Sequence, residues 1–182
     1  MSTSSSRVVA TITLVLALGL GTGPRALADD DSVSKANESI TLMKKADPGL
    51  SKFFSGASGY AVFPKVAKGA IGVGGAHGSG VLFEGGTAVG KASLSQVSIG
   101  FQLGGQAYSE IIFFEKAAAL SNFKTGNFAF AAQVSAVAIK SGASANAKYK
   151  DGVAVFTMAE GGLMYEASVG GQKFGYQPFG SK

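Results

Sequence analysis

Between residues 31 and 47 the apolar positions Val33, Ala36, Ile40 and Met43 fall three and four residues apart, with polar residues between them. That is one face of a 3.6-residue period and predicts a helix. Ser32 or Ser34 is placed to cap its start. Asp47-Pro48-Gly49 predicts its end, because the residue before a proline is pushed out of the helical region. The following LSKFF, residues 50–54, reads as a further short turn.

From Tyr60 onward the period shortens. Glycine is dense, and β-branched and aromatic residues recur between the glycines. Residues 60–66, 70–84, 87–115, 127–142, 143–150, 152–160 and 162–176 read as strands joined by tight turns. Glu84-Gly85-Gly86, Lys150-Asp151-Gly152 and Glu160-Gly161-Gly162 carry hairpin-turn chemistry. A helix is predicted to interrupt them over residues 116–124, with Gly126 just past its end. A weak repeat, an apolar residue followed by Gly-Gly, recurs at Val73, Leu103 and Val169. Paired glycines inside strands mark bulges, sharp coiling or close backbone approach, or they match by chance in a glycine-rich chain. The expected fold is α+β: an N-terminal helix, a strongly coiled or barrel-like antiparallel sheet of short Gly-rich strands, and one intervening helix.

The first 28 residues stand apart from this pattern. A short polar stretch with Arg7 precedes the uncharged, mainly apolar residues 8–21, and Ala26-Leu27-Ala28 follows before an Asp triplet. The pattern predicts a secretory signal peptide, residues 1–28, cleaved after Ala28. The alternative, a membrane anchor, needs about 20 apolar residues, more than this run holds. The remaining residues 29–182 suit a single domain with its own core. The expected location is the periplasm or the extracellular space, with membrane association possible. The chain has no cysteine, which removes thiol catalysis and cysteine-bound metals.

Without the leader the charge is 14 Lys against 11 acidic residues, a net +3. Residues 44–69 hold five of those lysines and a single Asp, so one segment carries the basic character. The same segment holds Phe53, Phe54, Tyr60 and Phe63.

GGTAVGK, residues 85–91, has the G-x-x-x-x-G-K form of a phosphate-binding loop. Such a loop must open a helix and continue with Ser or Thr. Here the next residue is Ala92, and the following stretch has strand periodicity, so the letters read as a hairpin turn and Lys91 as a solvated strand lysine. His77 is the sole histidine and cannot build an ordinary zinc site without cysteines. Ser79 lies two residues from it but lacks a third orienting group. The acids Glu110, Glu115, Glu160 and Glu166 are scattered, with no pair placed across an evident cleft. Nucleic acid is disfavoured by the small net charge and by the lack of arginine after the leader. No nucleotide, metal or cofactor is expected, and the chain is not expected to be an enzyme.

The basic-aromatic segment has two readings. Lysines interleaved with phenylalanines fit a surface that meets an anionic membrane, each Lys contributing about 1 kcal/mol there and the rings entering the interface. Equally, the phenylalanines fit a core with merely solvated lysines around it.

The ordered set Ala61-Val62-Phe63-Pro64, Lys68-Gly69, Gly72-Val73-Gly74-Gly75, Gly80-Val81-Leu82, Ser98-Ile99-Gly100, Gly104-Gly105-Gln106, Ser109-Glu110 and Gly162-Leu163-Met164 resembles the SYLF domain, also called the actin-binding domain of Las17-binding proteins. The resemblance runs in order over nearly all of residues 29–182. It implies lipid binding: eukaryotic SYLF domains bind phosphoinositides, aided by an amphipathic N-terminal helix, and some bind and bundle actin. Bacterial members are typically exported single-domain proteins or lipoproteins. This chain lacks the lipoprotein cysteine and an SH3 or FYVE partner domain, so actin binding is not carried over.

These readings converge on one expectation. The domain binds anionic phospholipid, phosphoinositide-like, at a membrane surface. Lys44, Lys45, Lys52, Lys65 and Lys68 hold headgroups, and Phe53 and Phe54 dip into the interface. The alternative is an envelope structural or interaction protein that binds a protein or glycan partner, or a carrier of small amphiphiles.

Overall fold

The computed structural model describes residues 24–71, 73–99, 106–131, 134–160 and 169–181. Three helices and a seven-stranded sheet make an α+β fold. Helix α1 (Pro24–Ala46) is followed by a 3-10 turn (Pro48–Leu50) and a short helix α2 (Ser51–Gly56). Strands β1 (Gly59–Ile71), β2 (Val73–Glu84), β3 (Thr87–Ile99) and β4 (Gln106–Phe114) come next. Helix α3 (Ala117–Lys124), strand β5 (Val137–Ala138), a 3-10 turn (Ala143–Asn146), and strands β6 (Val153–Ala159) and β7 (Lys173–Pro178) complete the chain.

The sheet order is β5-β6-β4-β1-β2-β3-β7, antiparallel except for the short parallel pairing of β5 with β6. The sheet is curled but open, and a connecting segment bridges its two edges. Phe130 N–H donates to Gln172 O and Phe174 N–H to Phe128 O on the β7 side, while Ile139 N–H donates to Thr157 O on the β6 side. The curl gives the sheet two buried faces. The outer face carries Tyr60, Val62, Val81, Phe83, Ile111, Phe113 and Phe156, and α1 lays Ala36, Ile40 and Met43 upon it. The inner face carries Phe63, Val66, Leu82, Leu94, Ile112 and Phe114, closed by Leu120 and Phe123 of α3 and by Phe130 and Phe174. Each large apolar side chain buried this way contributes about 1.5–3 kcal/mol.

Strand β1 lies at the centre and contains Pro64, which has no N–H to give a neighbour. A bulge absorbs it. Against β2 the register shifts between Val62 and Lys65, and against β4 between Phe63 and Val66. The extra residues change the side-chain parity, so Phe63 and Val66 both face inward. Gly80 lies opposite the bulge: a Cβ there would come within 2.4 Å of Val62 O and 2.7 Å of the Phe63 ring.

The expected first helix forms with the predicted buried face and stops at Asp47-Pro48-Gly49 as anticipated. It begins earlier than expected, at Pro24, so Ser32 and Ser34 lie inside it rather than at its cap. The helix predicted over residues 116–124 is α3, and Gly126 beyond it has φ +75°. Gly85 (φ +54°) and Gly86 (φ +84°) form the β2–β3 turn, as do Asp151 (φ +52°) and Gly152 (φ +79°) before β6. Positive φ at both central residues is what the type I′ form of a two-residue hairpin turn requires. The run of residues 85–91 is therefore a turn leading into a strand, with Lys91 on β3.

Two strand expectations are corrected. Residues 143–150 hold a 3-10 turn, and among the described residues of 127–142 only Val137–Ala138 join the sheet as a strand. Alanine and serine make up much of both stretches, and too few large β-branched side chains are present to favour a strand over the loop contacts made here. The Gly161-Gly162 turn and the Gly104-Gly105 pair lie outside the described residues, as do the leader residues 1–23.

Candidate functional site

The end of α1, the following turn and α2 form a basic shoulder beside the outer face. Asp47 builds it. As the cap of the 3-10 turn, its carboxylate accepts Gly49 N–H at 3.1 Å and, from far along the chain, Ser144 N–H at 2.6 Å. Burial by itself pushes its pKa up, but the N–H groups of Ser144, Gly49 and Gly142 outweigh burial and hold the carboxyl below its usual range. The turn then sinks Leu50 and Phe53 into the core and leaves Lys52 outside.

Lys44 Nζ sits 4.0 Å above the ring of Phe54. Lys52 Nζ donates to Ala145 O at 3.3 Å and lies 5.1 Å from the Phe53 ring centre. Aromatic faces attract such cations and orient them without neutralising them. Lys45 is exposed on the last turn of α1. A depression of about 500 Å³ beside α2 is lined by Lys52, Phe53, Gly56, Glu115, Lys148 and Tyr149. Lys148 thus joins Lys52 at this shoulder.

Ion pairing separates these lysines from four others. Among the described residues, Lys35, Lys65, Lys91 and Lys124 pair with Asp31, Glu160, Asp29 and Glu84. Lys44, Lys45, Lys52 and Lys148 form no such pair among the described residues.

The predicted site residues therefore do not form one surface. Lys44, Lys45 and Lys52 share the shoulder. Lys65 and Lys68 lie on β1 beyond the Pro64 bulge, and Lys65 faces the middle of α1 rather than its basic end. Lys65 is held 3.2 Å from Glu160. The assignment of Phe53 to membrane insertion is corrected: its ring is 4% exposed and packs on Phe113, Tyr149 and Phe156. Phe54 is half-buried, edge-on to Tyr60 and Phe113. Both rings fill the gap between α2 and the aromatic outer face, where apolar area is withdrawn from water.

A second concavity, about 750 Å³, opens between the middle of α1, at Asp31, Ser32 and Lys35, and the outer face. Its floor is polar and small. Lys65, Ser79, Ser93 and Gly175 pair in one row across four strands, and His77 pairs with Ser95 in the next. His77 and Ser79 do share a face, as period-two spacing requires. Beside them stand Asp31 and Lys35, which are committed to each other at 2.7 Å. Among the described residues, no group of three His, Cys, Asp or Glu side chains is placed to hold a metal.

Inside the curl lies a buried polar cluster that spacing alone did not single out. Glu110 is fully buried and accepts from Gln172 Nε2 at 3.0 Å; Gln172 also donates to Tyr108 Oη at 3.2 Å. Burial pushes the Glu110 carboxyl up to about 8, against a smaller lowering by the Gln172 hydrogen bond. Burial, and then Glu110 itself, raise the Tyr108 hydroxyl above its usual range. The apolar neighbours Ile111, Ile112, Phe113 and Phe114 already signalled a buried strand, but not which acid on it would lie inside.

No helix among the described residues is long and apolar enough to cross a membrane. Residues 95–176 match the Ysc84 family model, described as Las17-binding protein actin regulator. The matched stretch runs from within β3 to within β7 and includes the Glu110–Gln172 cluster. A relative named Beta cell expansion factor A, from Aeromonas veronii, is 29% identical over 142 residues, covering 76% of this chain and 53% of that protein. The chain spans about half the length of this curated relative.

Proposed function

Because the chain carries a Ysc84 (SYLF) domain over residues 95–176, we propose that it binds anionic phospholipid headgroups, phosphoinositide-like ones included, at a membrane surface. The observation that carries this reading is the shoulder of Lys44, Lys45, Lys52 and Lys148, four cations at one end of the domain that form no ion pair among the described residues. Paired lysines offer little net charge to a membrane, whereas unpaired ones near an anionic surface contribute about 1 kcal/mol each. In this reading the phenylalanines act from behind: Phe53 anchors α2 in the core, and Phe54 sets the position of Lys44. Binding is electrostatic and peripheral. The protein works as a binding domain rather than an enzyme, after export and removal of residues 1–28.

Co-sedimentation of the protein with neutral, anionic and phosphoinositide-containing vesicles at low and high salt tests the proposal. Binding to anionic vesicles that fades as salt rises supports it, because exposed charges are screened over about 10 Å at 0.1 M salt. Equal binding to neutral vesicles, or none to any, refutes it.

A protein partner is the second reading, favoured by the family description, which names Las17 binding. Saturable capture of a protein partner without lipid would support it over the first.

A further inference from the structure

Three strands, β1, β2 and β3, separate β4 from β7 in the sheet order. Yet Gln172, one residue before β7, reaches Glu110 and Tyr108 on β4. The contact crosses the inside of the curl and fastens one edge of the sheet to its middle.

The residues around this fastening are closed to water. Glu110 and Gln172 are 0% exposed and Thr157 is 1% exposed. Tyr108 faces Glu110 from the same strand, Phe63 is its pairing partner on β1, Thr157 its partner on β6, and Gln172 comes from the segment before β7. Among the described residues, no cation faces it. A buried carboxyl without a cation is held in its neutral form, since charge there loses its hydration with nothing to replace it. Glu110 Oε1 and Thr157 Oγ1 have no hydrogen-bond partner among the described residues, so no donor there offsets a charge on the carboxyl, although the two residues stand opposite on adjacent strands.

β7 lies at an edge of the sheet: one strand, β3, pairs with it along its length, its other side meets the short stretch around Ala129, and Gly171 (φ +77°) and Gly175 lie in or beside it. Strand β4, by contrast, is paired on both sides along most of its length.

We propose that Glu110 is a proton-operated latch: protonated, it holds the β7 segment across the open side of the curled sheet, and ionised, it releases that segment and uncovers the aromatic interior that Phe174 covers, around Phe63 and Phe123. The direction follows from burial. The proton stays on under neutral and acidic conditions and leaves as the solution becomes alkaline, in line with a carboxyl that titrates near 8. The released unit is local, because edge elements with few pairings open before the doubly paired strands.

Amide hydrogen exchange on the whole protein at pH 6 and pH 9, corrected for the intrinsic rate, tests this. The amides of Phe130 and Phe174, which bond Gln172 O and Phe128 O, report the latch. Those of Ile111 and Ile112 in β4 report the body of the sheet. We expect protection at Phe130 and Phe174 to fall about tenfold or more beyond any fall at Ile111 and Ile112 from pH 6 to pH 9, and Glu110→Gln to abolish that excess. An equal loss at all four amides, or an unchanged latch between the two pH values, overturns the proposal. Should Glu110→Gln fail to fold, carbon NMR titration of the wild-type Glu110 carboxyl decides: a midpoint well above 6 supports the latch, and one below 6 sinks it.

Discussion

The Asp47 carboxylate accepts the backbone N–H of Ser144, 97 residues further on, at 2.6 Å. This bond ties the basic end of the N-terminal helical arm to the loop that carries Lys148. Replacing Asp47 with Ala leaves the buried Ser144 N–H without an acceptor and removes the cap of the 3-10 turn. The expected cost is about 1–3 kcal/mol in urea denaturation at neutral pH. Because the folded carboxyl sits below its ordinary range, its contribution is present above that range and is lost as pH falls through the folded value. Wild type and Asp47→Ala should therefore converge in stability in strong acid. A gap that persists unchanged there would refute the account.

Charge reversal should sort the lysines by their pairing. Lys44→Glu, Lys45→Glu and Lys52→Glu are each expected to weaken binding to anionic vesicles severalfold, and together to remove it at physiological salt. Lys65→Glu should matter less, since Glu160 already neutralises that lysine. Vesicle titration checks both halves. Equal losses at Lys65 and Lys52 would return the site to the longer surface expected from the sequence.

Phe53→Ala separates a core ring from a membrane anchor. With three aromatic neighbours and 4% exposure, the ring should cost about 3–5 kcal/mol when removed. Thermal or urea unfolding measures this directly. A stability near wild type, with vesicle affinity lost, would instead make Phe53 an inserting side chain.

Gly80→Ala tests the bulge around Pro64. The added methyl would meet Val62 O at 2.4 Å, a backbone atom with no room to retreat within a central strand. A loss of about 1–3 kcal/mol is expected, as for other overpacked interiors. Gly56→Ala, where nothing lies within 4 Å of the new methyl, is the matched control in the same denaturation series.

Glu110→Gln should change the pH dependence of global stability. The folded pKa of Glu110, about 8, lies above the ordinary value of 4.5. The folded state therefore binds more protons, and stability falls as pH rises between those two values. The penalty is absent below the ordinary value and complete above the folded one. Wild type and Glu110→Gln should show their smallest gap near pH 4, and the variant should gain over wild type up to pH 9. Parallel curves would show that Glu110 titrates normally.

Much of the architecture was legible in the residues. The three- and four-residue spacing from Val33 to Met43 marked the buried face of α1, and Pro48 marked its end. Gly85-Gly86 and Asp151-Gly152 announced turns, which also disposed of the phosphate-loop resemblance at Lys91. The start of α1 was misplaced because Ser32 and Ser34 resemble caps wherever they fall, and a helix already running from Pro24 does not need one there. Residues 143–150 misled for a related reason: their short alternating pattern suits a strand, but Asp47 recruits Ser144 into a turn.

The candidate site was only half legible. Lys44, Lys45 and Lys52 are close in sequence and remain together, whereas Lys65 and Lys68 are parted from them by the direction of β1. Lys148 and Gln172 could not be found from spacing, since their partners lie tens of residues away. Periodicity, capping and turn chemistry act over a few residues, and the sequence by itself determined what depends on them: the helices, most strands and the tight turns. Strand order and the curl of the sheet decided the rest, including which lysines pair with acids, which phenylalanines go inside and which acid is buried. Those outcomes rest on burial and on contacts between distant segments, and neither exists until the chain has closed on itself.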